Sequence, residues 1–255
     1  MTHKLSDEDR KALEDYDPRI YLRPSSSVDV VIFTIQDDRL KVLLSRRKEP
    51  PFRGLWGFPG GFIDPGLDAS LEACAHRTLA KKARVKTPYL EQLQTYGDNA
   101  RDPRDWVLTV VYFALVPYES ISNELVGNEA EAKLFTVVDD HVNQRLAFDH
   151  KRILKDAVRR LRNKLEYTAI AVHLLGEEFT IPDLYRVYQI GLNDDSLDRS
   201  SFHARIQKTG LLHETGREKL TGGRPSMLYR FASPGAQEMF FPRSLVYARR
   251  RKQEA

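Results

Sequence analysis

The chain has 255 residues, 41% of them hydrophobic, and a single cysteine, which is enough for two small cores and excludes a disulfide within the chain. No apolar run reaches the length that spans a bilayer, and the opening MTHKLSDEDRKALEDYDPR is too polar for a secretion signal, so a cytoplasmic location and no membrane partner are expected. The formal net charge of +4 divides unevenly: residues 1–148 hold 20 Lys and Arg against 23 Asp and Glu, net −3, and residues 149–255 hold 20 against 13, net +7.

In chain order, the β-branched run VDVVIFTI, Val28 to Ile35, is a strand, and LKVLLS, Leu40 to Ser45, is a second, with Asp37-Asp38 in the turn between them. This hairpin ends in Arg46-Arg47. The glycine-rich GLWGFPGGF, Gly54 to Phe62, lets the backbone approach an anion closely. Leu71, Cys74, Ala75, Thr78 and Leu79 then recur at helical spacing, which predicts a helix packed on a sheet, with Cys74 a small packed side chain. After the polar loop GDNARDPRD, Trp106 to Val116 is a long strand, and Leu134 to Val138 a last short one. Strands on either side of one helix predict a mixed α/β sandwich over residues 1–148.

At LAFDH, Leu146 to His150, the chain turns basic, and residues 149–255 form the second predicted unit, suited to a polyanion such as nucleic acid. Asp149 to Lys164 is a strongly basic helix and Tyr167 to Leu175 a short apolar one. Thr180-Ile181-Pro182-Asp183 has the form of a capping box, opening a helix whose inward face is Leu184, Val187 and Tyr188. Ser200 or Ser201 caps a second helix with Phe202 and Ile206 inward and His203, Arg205 and Lys208 outward, ended by Gly210. Leu211 to Glu214 and the alternating Ser226 to Phe231 are strands around the basic loop TGREKLTGGRP. Together these elements outline a winged helix-turn-helix, with the helix from Ser201 entering a major groove and Arg217, Lys219 and Arg224 on the wing. The tail ARRRKQEA is expected to be disordered. The seven histidines show no metal-binding spacing, and no Walker loop or G-x-S-x-G is present.

The segment GGFIDPGLDASLEACAHRTLAKKARV, Gly60 to Val85, resembles the Nudix box, which runs Gly, five residues, Glu, seven residues, Arg-Glu, an apolar residue, any residue, Glu-Glu. The resemblance implies Mg²⁺ held by glutamates for attack of water on a diphosphate. Here Arg77 matches the Arg, but Thr78 replaces its neighbouring Glu, Lys81 and Lys82 replace the Glu-Glu pair, and Leu67 falls at the first Glu. Fifteen residues separate Gly61 from Arg77 where the motif has thirteen. Ammonium groups repel a divalent cation, so no catalytic residue and no metal ligand is assigned.

A degenerate Nudix unit followed by a winged helix resembles the Nudix-related transcriptional regulators of the NrtR family. The resemblance runs from Tyr16 to Phe231 and is carried by GLWGFPGGFID, ARDPRDW, LAFDH, Phe179-Thr180 and GRPSMLYRF. It implies a homodimeric bacterial repressor of NAD synthesis or salvage genes, or of sugar catabolism, with double-stranded operator DNA as partner. The implied effector is ADP-ribose or a related nucleotide, with no cofactor required. An effector site is expected at Arg46, Trp56, Gly60, Gly61 and Arg101, with Arg77 structural, and DNA contacts at Ser201, His203, Arg205, Lys208, Arg217, Lys219 and Arg224. Two other functions compete. One is an active hydrolase using Asp64, Asp68 or Glu72, against which the missing glutamates weigh; the other is a nonregulatory nucleic-acid-binding module, for instance one acting on RNA, which the wing disfavours because single-strand platforms display stacking aromatics.

Overall fold

The computed structural model describes residues 4–83, 89–121, 131–220 and 225–232; Arg224 and the Lys82 side chain lie outside the described residues. An amphipathic N-terminal helix not foreseen from sequence, α1 (Asp7–Glu14), starts at a capping box in which Ser6 Oγ accepts from Asp9 N and the Asp9 carboxylate accepts from Ser6 N.

The first half is built around one sheet. Strand β1 (Ser25–Gln36) pairs antiparallel with β2 (Arg39–Arg46) through a two-residue turn whose Asp37 and Asp38 both have positive φ, 52° and 55°. Carboxylate residues tolerate that conformation, and the twist of such a turn matches the strands. Two short strands follow, β3 (Trp56–Gly57) on β2 and β4 (Gly60–Phe62) on β1. The sheet is completed by β5 (Tyr89–Asp98), which pairs antiparallel with β6 (Val107–Leu115), by β6 itself, parallel to β1, and by β7 (Ala132–Thr136) on β2.

The unbroken apolar run of β1 follows from its central place, because both of its faces are covered. Val28, Val30 and Ile32 face α2 (Leu71–Thr78), meeting Cys74 and Ala75 and, in the π turn Leu79–Ala83 that continues the helix, Leu79. Val31 and Phe33 face the opposite helix, α3 (His150–Tyr167), meeting Ile153, Leu154, Ala157, Val158 and Leu161. Leu71, expected on the packed face of α2, is exposed at the first turn.

Helix α3 corrects the reading of the basic segment. Its buried residues form one stripe from His150 to Leu165, which seals the sheet, while its charges face outward or pair with the sheet. Arg160 and Lys164 reach Glu91 on β5 at 3.0 and 2.6 Å. The change of charge at residue 148 therefore marks no break in packing, and the same core runs on into the second half. The short apolar helix expected at 167–175 is instead the end of α3 followed by a buried 3₁₀ turn, Ile170–Leu174.

The second half is the winged helix-turn-helix. Thr180 and Asp183 make the expected capping box for α4 (Ile181–Leu192), which ends on Asn193 in the left-handed region. Gly191 lets α4 lie close to α3, since a Cβ there would stand 2.4 Å from Leu165 Cδ1. Helix α5 (Arg199–Lys208) is capped by Asp198, which accepts from Ser201 N at 2.8 Å, and not by Ser200 or Ser201. Phe202 packs edge-on against Tyr185 and Tyr188, so α5 is fixed to α4 by aromatic contacts. Strand β8 (Leu212–Lys219) runs well beyond the predicted end at Glu214, because a register shift between Glu214 and Glu218 absorbs Gly216 at φ 75° as a bulge. It pairs with β9 (Ser226–Phe231), and Tyr229 exchanges both backbone hydrogen bonds with Phe179 just ahead of α4. Among the described residues, no helix is long and apolar enough to cross a membrane.

Candidate functional site

A cleft of about 610 Å³ opens between the end of β2, the β3–β4 turn, the Arg101–Arg104 loop and the start of α3. Its floor is sterically constrained. A Cβ on Gly60 would stand 1.8 Å from Asp29 Oδ1 and 2.9 Å from the Val28 carbonyl, so only glycine fits. Asp29 in turn accepts from Thr109 Oγ1 at 2.8 Å. Beside it, His150 Nδ1 accepts from the Phe58 backbone N–H at 3.0 Å, and the two rings stack at 4.8 Å. Burial lowers the pKa of His150, which keeps the imidazole neutral, with its proton on Nε2, 3.9 Å from Asp29 Oδ2.

Above that floor the walls are cationic. Arg47 donates Nε to the Pro51 carbonyl at 2.8 Å and lies 4.6 Å from the centre of the Phe148 ring. Arg104 approaches both Phe62 and Phe148, at 5.4 and 5.8 Å. Phe148 holds this central position with φ 53°, unusual for a bulky residue. Several charges are balanced locally: Arg104 with Asp102 at 2.6 Å, Lys48 with Glu131 at 2.7 Å, and Arg101 with Asp149 at 2.9 Å. Arg46, Arg47 and Lys81 also line the cleft and, among the described residues, have no carboxylate within ion-pair distance. Burial and repulsion from Arg104 lower the pKa of Arg47, as expected where positive charge is in excess.

The structure thus brings Arg46, Gly60, Gly61 and Arg101 to one cleft, although Arg101 is almost fully buried and carries its own counter-ion. It does not bring Trp56 there. That ring packs edge-on against Phe135 at 4.8 Å, and its backbone pairs with the Arg145–Ala147 segment, so Trp56 anchors the approach to α3. Arg104 and Phe148 were missed. Both lie in segments that stood out, ARDPRDW and LAFDH, yet nothing in their spacing says that they meet.

Among the described residues, the acids of the Nudix-like segment do not come together as a metal site. The Asp68 side chain is 1% exposed and takes both 2.5 Å hydrogen bonds from Arg77, which holds its carboxyl far below the usual range. It also accepts from Asp64 N, so Arg77 is structural, as expected. Glu72 stands on the exposed side of α2, 3.8 Å from His76 and away from the cleft. No group of three or more potential ligands occurs among the described residues. The donor set therefore does not fit the divalent cation that the Nudix pattern implies.

On the winged helix, Ser201, His203 and Lys208 are exposed on α5, while Arg205 is half-buried. Arg217 and Lys219, expected in a loop, belong to β8. Arg217 pairs with Glu178, which also holds Arg230 at 2.8 Å, and Lys219 lies 3.3 Å from Asp183.

Comparison with known proteins agrees with this two-part architecture. The family model of the NUDIX domain matches residues 25–179, and that of the NrtR DNA-binding winged helix domain matches residues 171–231. The chain is 37% identical, over 237 residues and 93% of each protein, to the ADPR responsive transcriptional repressor NtrR of Acinetobacter baylyi. The chain belongs to the NrtR family of Nudix-related transcriptional regulators. Shewanella oneidensis NrtR in complex with a 27mer DNA superposes with a TM-score of 0.80 at 39% identity, covering 86% of this chain and 98% of that one. The Nudix domain of the same NrtR in complex with ADP ribose gives 0.53 at 41% identity, covering 62% of this chain and 99% of that one. As an NrtR-family regulator, the chain has its cleft in the Nudix half, and α3 leads from that cleft to the helix-turn-helix.

Proposed function

We propose that this protein is a repressor of NAD-metabolic genes that binds ADP-ribose or a closely related nucleotide in the cleft and operator DNA through the winged helix. It acts as a cytoplasmic homodimer and does not hydrolyse the effector. The observation that carries this reading is the cleft itself. It presents cations that have no carboxylate partner among the described residues over a glycine floor, as a diphosphate requires, and its wall includes the first residue of the helix that leads into the DNA-binding half. The likeness to an ADP-ribose-responsive repressor over nearly the whole chain, and to NrtR structures with DNA and with ADP ribose, supports the same assignment.

The DNA contacts are assigned to Ser201, His203, Arg205 and Lys208 on α5, to Arg217 and Lys219 on β8, and to Arg224, which lies outside the described residues. A two-fold dimer reads an imperfect palindrome whose half-sites lie about one helical turn, or a multiple of it, apart. Effector releases DNA only if it binds the DNA-incompetent arrangement more tightly, with a coupling of about 1 to 3 kcal/mol. A mobility shift on promoters of NAD-metabolic genes, with and without ADP-ribose, tests the proposal. A complex dissolved by ADP-ribose supports it, whereas a complex indifferent to nucleotides and dissolved by a pentose or pentose phosphate would assign the protein to sugar catabolism.

A further inference from the structure

Lys81 enters the cleft from the π turn that continues α2, while Arg46 and Arg47 enter from the end of β2, so cations that have no carboxylate partner among the described residues face the same space from separate elements. The acids in and near the cleft are otherwise engaged. Asp68 is locked to Arg77, Glu72 lies outside the cleft, Asp29 is packed against Gly60 and accepts a hydrogen bond from Thr109, and Asp102, Glu131 and Glu49 pair with Arg104, Lys48 and Arg53. Lys81 itself stands at a position where the Nudix pattern has a metal-binding glutamate. A cation fixed to the chain stands here where that pattern has a carboxylate.

We propose that Lys81, together with Arg47, takes the place of the divalent cation and binds the effector's diphosphate directly, so that sensing does not depend on Mg²⁺ or Mn²⁺. This rests on the nucleotide reading above. The chemistry is matched: an ammonium offers three donors to phosphoryl oxygens without having to shed a tightly held hydration shell as Mg²⁺ does, and a guanidinium suits a phosphate in fork geometry. Arg47 is already oriented, by the carbonyls of Pro51 and Glu49 and by the face of Phe148, so less of its freedom remains to be lost on binding. Lys81 is exposed, which makes its substitution compatible with an intact fold.

The test is calorimetric titration of the full-length protein with ADP-ribose and, separately, with inorganic pyrophosphate, each in EDTA and in excess Mg²⁺. The wild type should bind with affinities within about twofold in the two buffers, while Lys81→Ala and Arg47→Ala each lose about tenfold or more and Lys81→Arg retains most of the affinity. Melting curves for each variant report whether it is folded. ADP-ribose binding that EDTA abolishes, or that Lys81→Ala leaves unchanged, would overturn the lysine site and leave the nucleotide reading standing. Pyrophosphate binding that needs Lys81, with no binding of ADP-ribose, would do the reverse. Binding of neither ligand would overturn both.

Discussion

The backbone N–H of Phe58 donates to Nδ1 of His150 at 3.0 Å, across 92 positions of sequence. One partner belongs to the glycine-rich floor of the cleft, and the other is the first residue of α3, the helix that covers the sheet and runs on to the helix-turn-helix. The residues on either side of His150 add to the connection: Asp149 holds Arg101, and Phe148 lies beneath Arg47. Whatever occupies the cleft therefore bears on the start of α3.

His150→Leu should leave the buried Phe58 N–H without an acceptor. We expect a loss of about 1 to 3 kcal/mol in denaturant unfolding, together with weaker effector binding. An unchanged midpoint would mean that the hydrogen bond contributes nothing to the junction.

A second buried histidine predicts acid sensitivity. His173 lies against Tyr89 and Phe231 on the segment between α3 and α4, and burial pushes its pKa down to about 4. In the unfolded chain the imidazole titrates near 6.5, so between those values the unfolded state binds more protons, and stability falls as the pH drops through the window. The full effect is roughly 3 kcal/mol, with none of it lost above neutral pH. His150 acts in the same direction. His173→Phe should flatten the dependence of unfolding free energy between pH 6.5 and 4; an undiminished slope would assign the acid sensitivity elsewhere.

Gly60→Ala tests the cleft floor. The new methyl would have to displace the Asp29 carboxylate and press on the Val28 carbonyl, at the two residues of β1 that pair with Gly60 and Gly61 of β4. Overpacking of this kind costs about 1 to 3 kcal/mol, and effector affinity should fall with it. Wild-type stability and affinity in this variant would show that the floor moves aside freely.

Much of this architecture could be read before the structure. The two-faced burial of β1 is its apolar run, the hairpin turn is Asp37-Asp38, and the start of α4 is Thr180 with Asp183. Strand β5 was hidden for a definable reason: Leu93 is an extra residue at a bulge, so the buried side chains change from Tyr89 to Tyr96 in phase and the alternation is lost. The helix at Asp149 to Lys164 was legible but its packing was not, because a charge count cannot see that Glu91 neutralises Arg160 and Lys164 or that the apolar stripe faces the sheet. In the cleft, the glycines and Arg46 were legible from local pattern. An aromatic among glycines looks like a stacking surface, yet Trp56 packs on Phe135 outside the cleft lining, and the place of Phe148 was not legible because it depends on arginines that are distant in sequence.

With Mg²⁺ or Mn²⁺ present, purified protein should turn over ADP-ribose far below the typical enzymatic rate of about 1 per second. The ground is the engagement of Asp68 by Arg77 and the exposed position of Glu72 outside the cleft. Robust turnover that disappears in Glu72→Gln would make this an enzyme with displaced carboxylates.

On the winged helix, Glu178 separates two kinds of arginine. Its side chain is only 17% exposed and already holds Arg217 and Arg230, so a DNA phosphate must compete with it for the wing. Glu178→Gln should therefore raise affinity for operator and unrelated DNA alike and steepen the salt dependence. Arg217→Ala should weaken binding uniformly and reduce the salt slope by about 1. Arg205 on α5 is assigned the other role: its change to Ala should cost about 1 to 3 kcal/mol on the operator and relax discrimination at one base position. Fluorescence anisotropy over a salt series, on an operator and its single-base variants, separates the outcomes. If Arg205→Ala weakens every sequence equally while Glu178→Gln changes nothing, α5 contacts only backbone and the wing does not reach DNA.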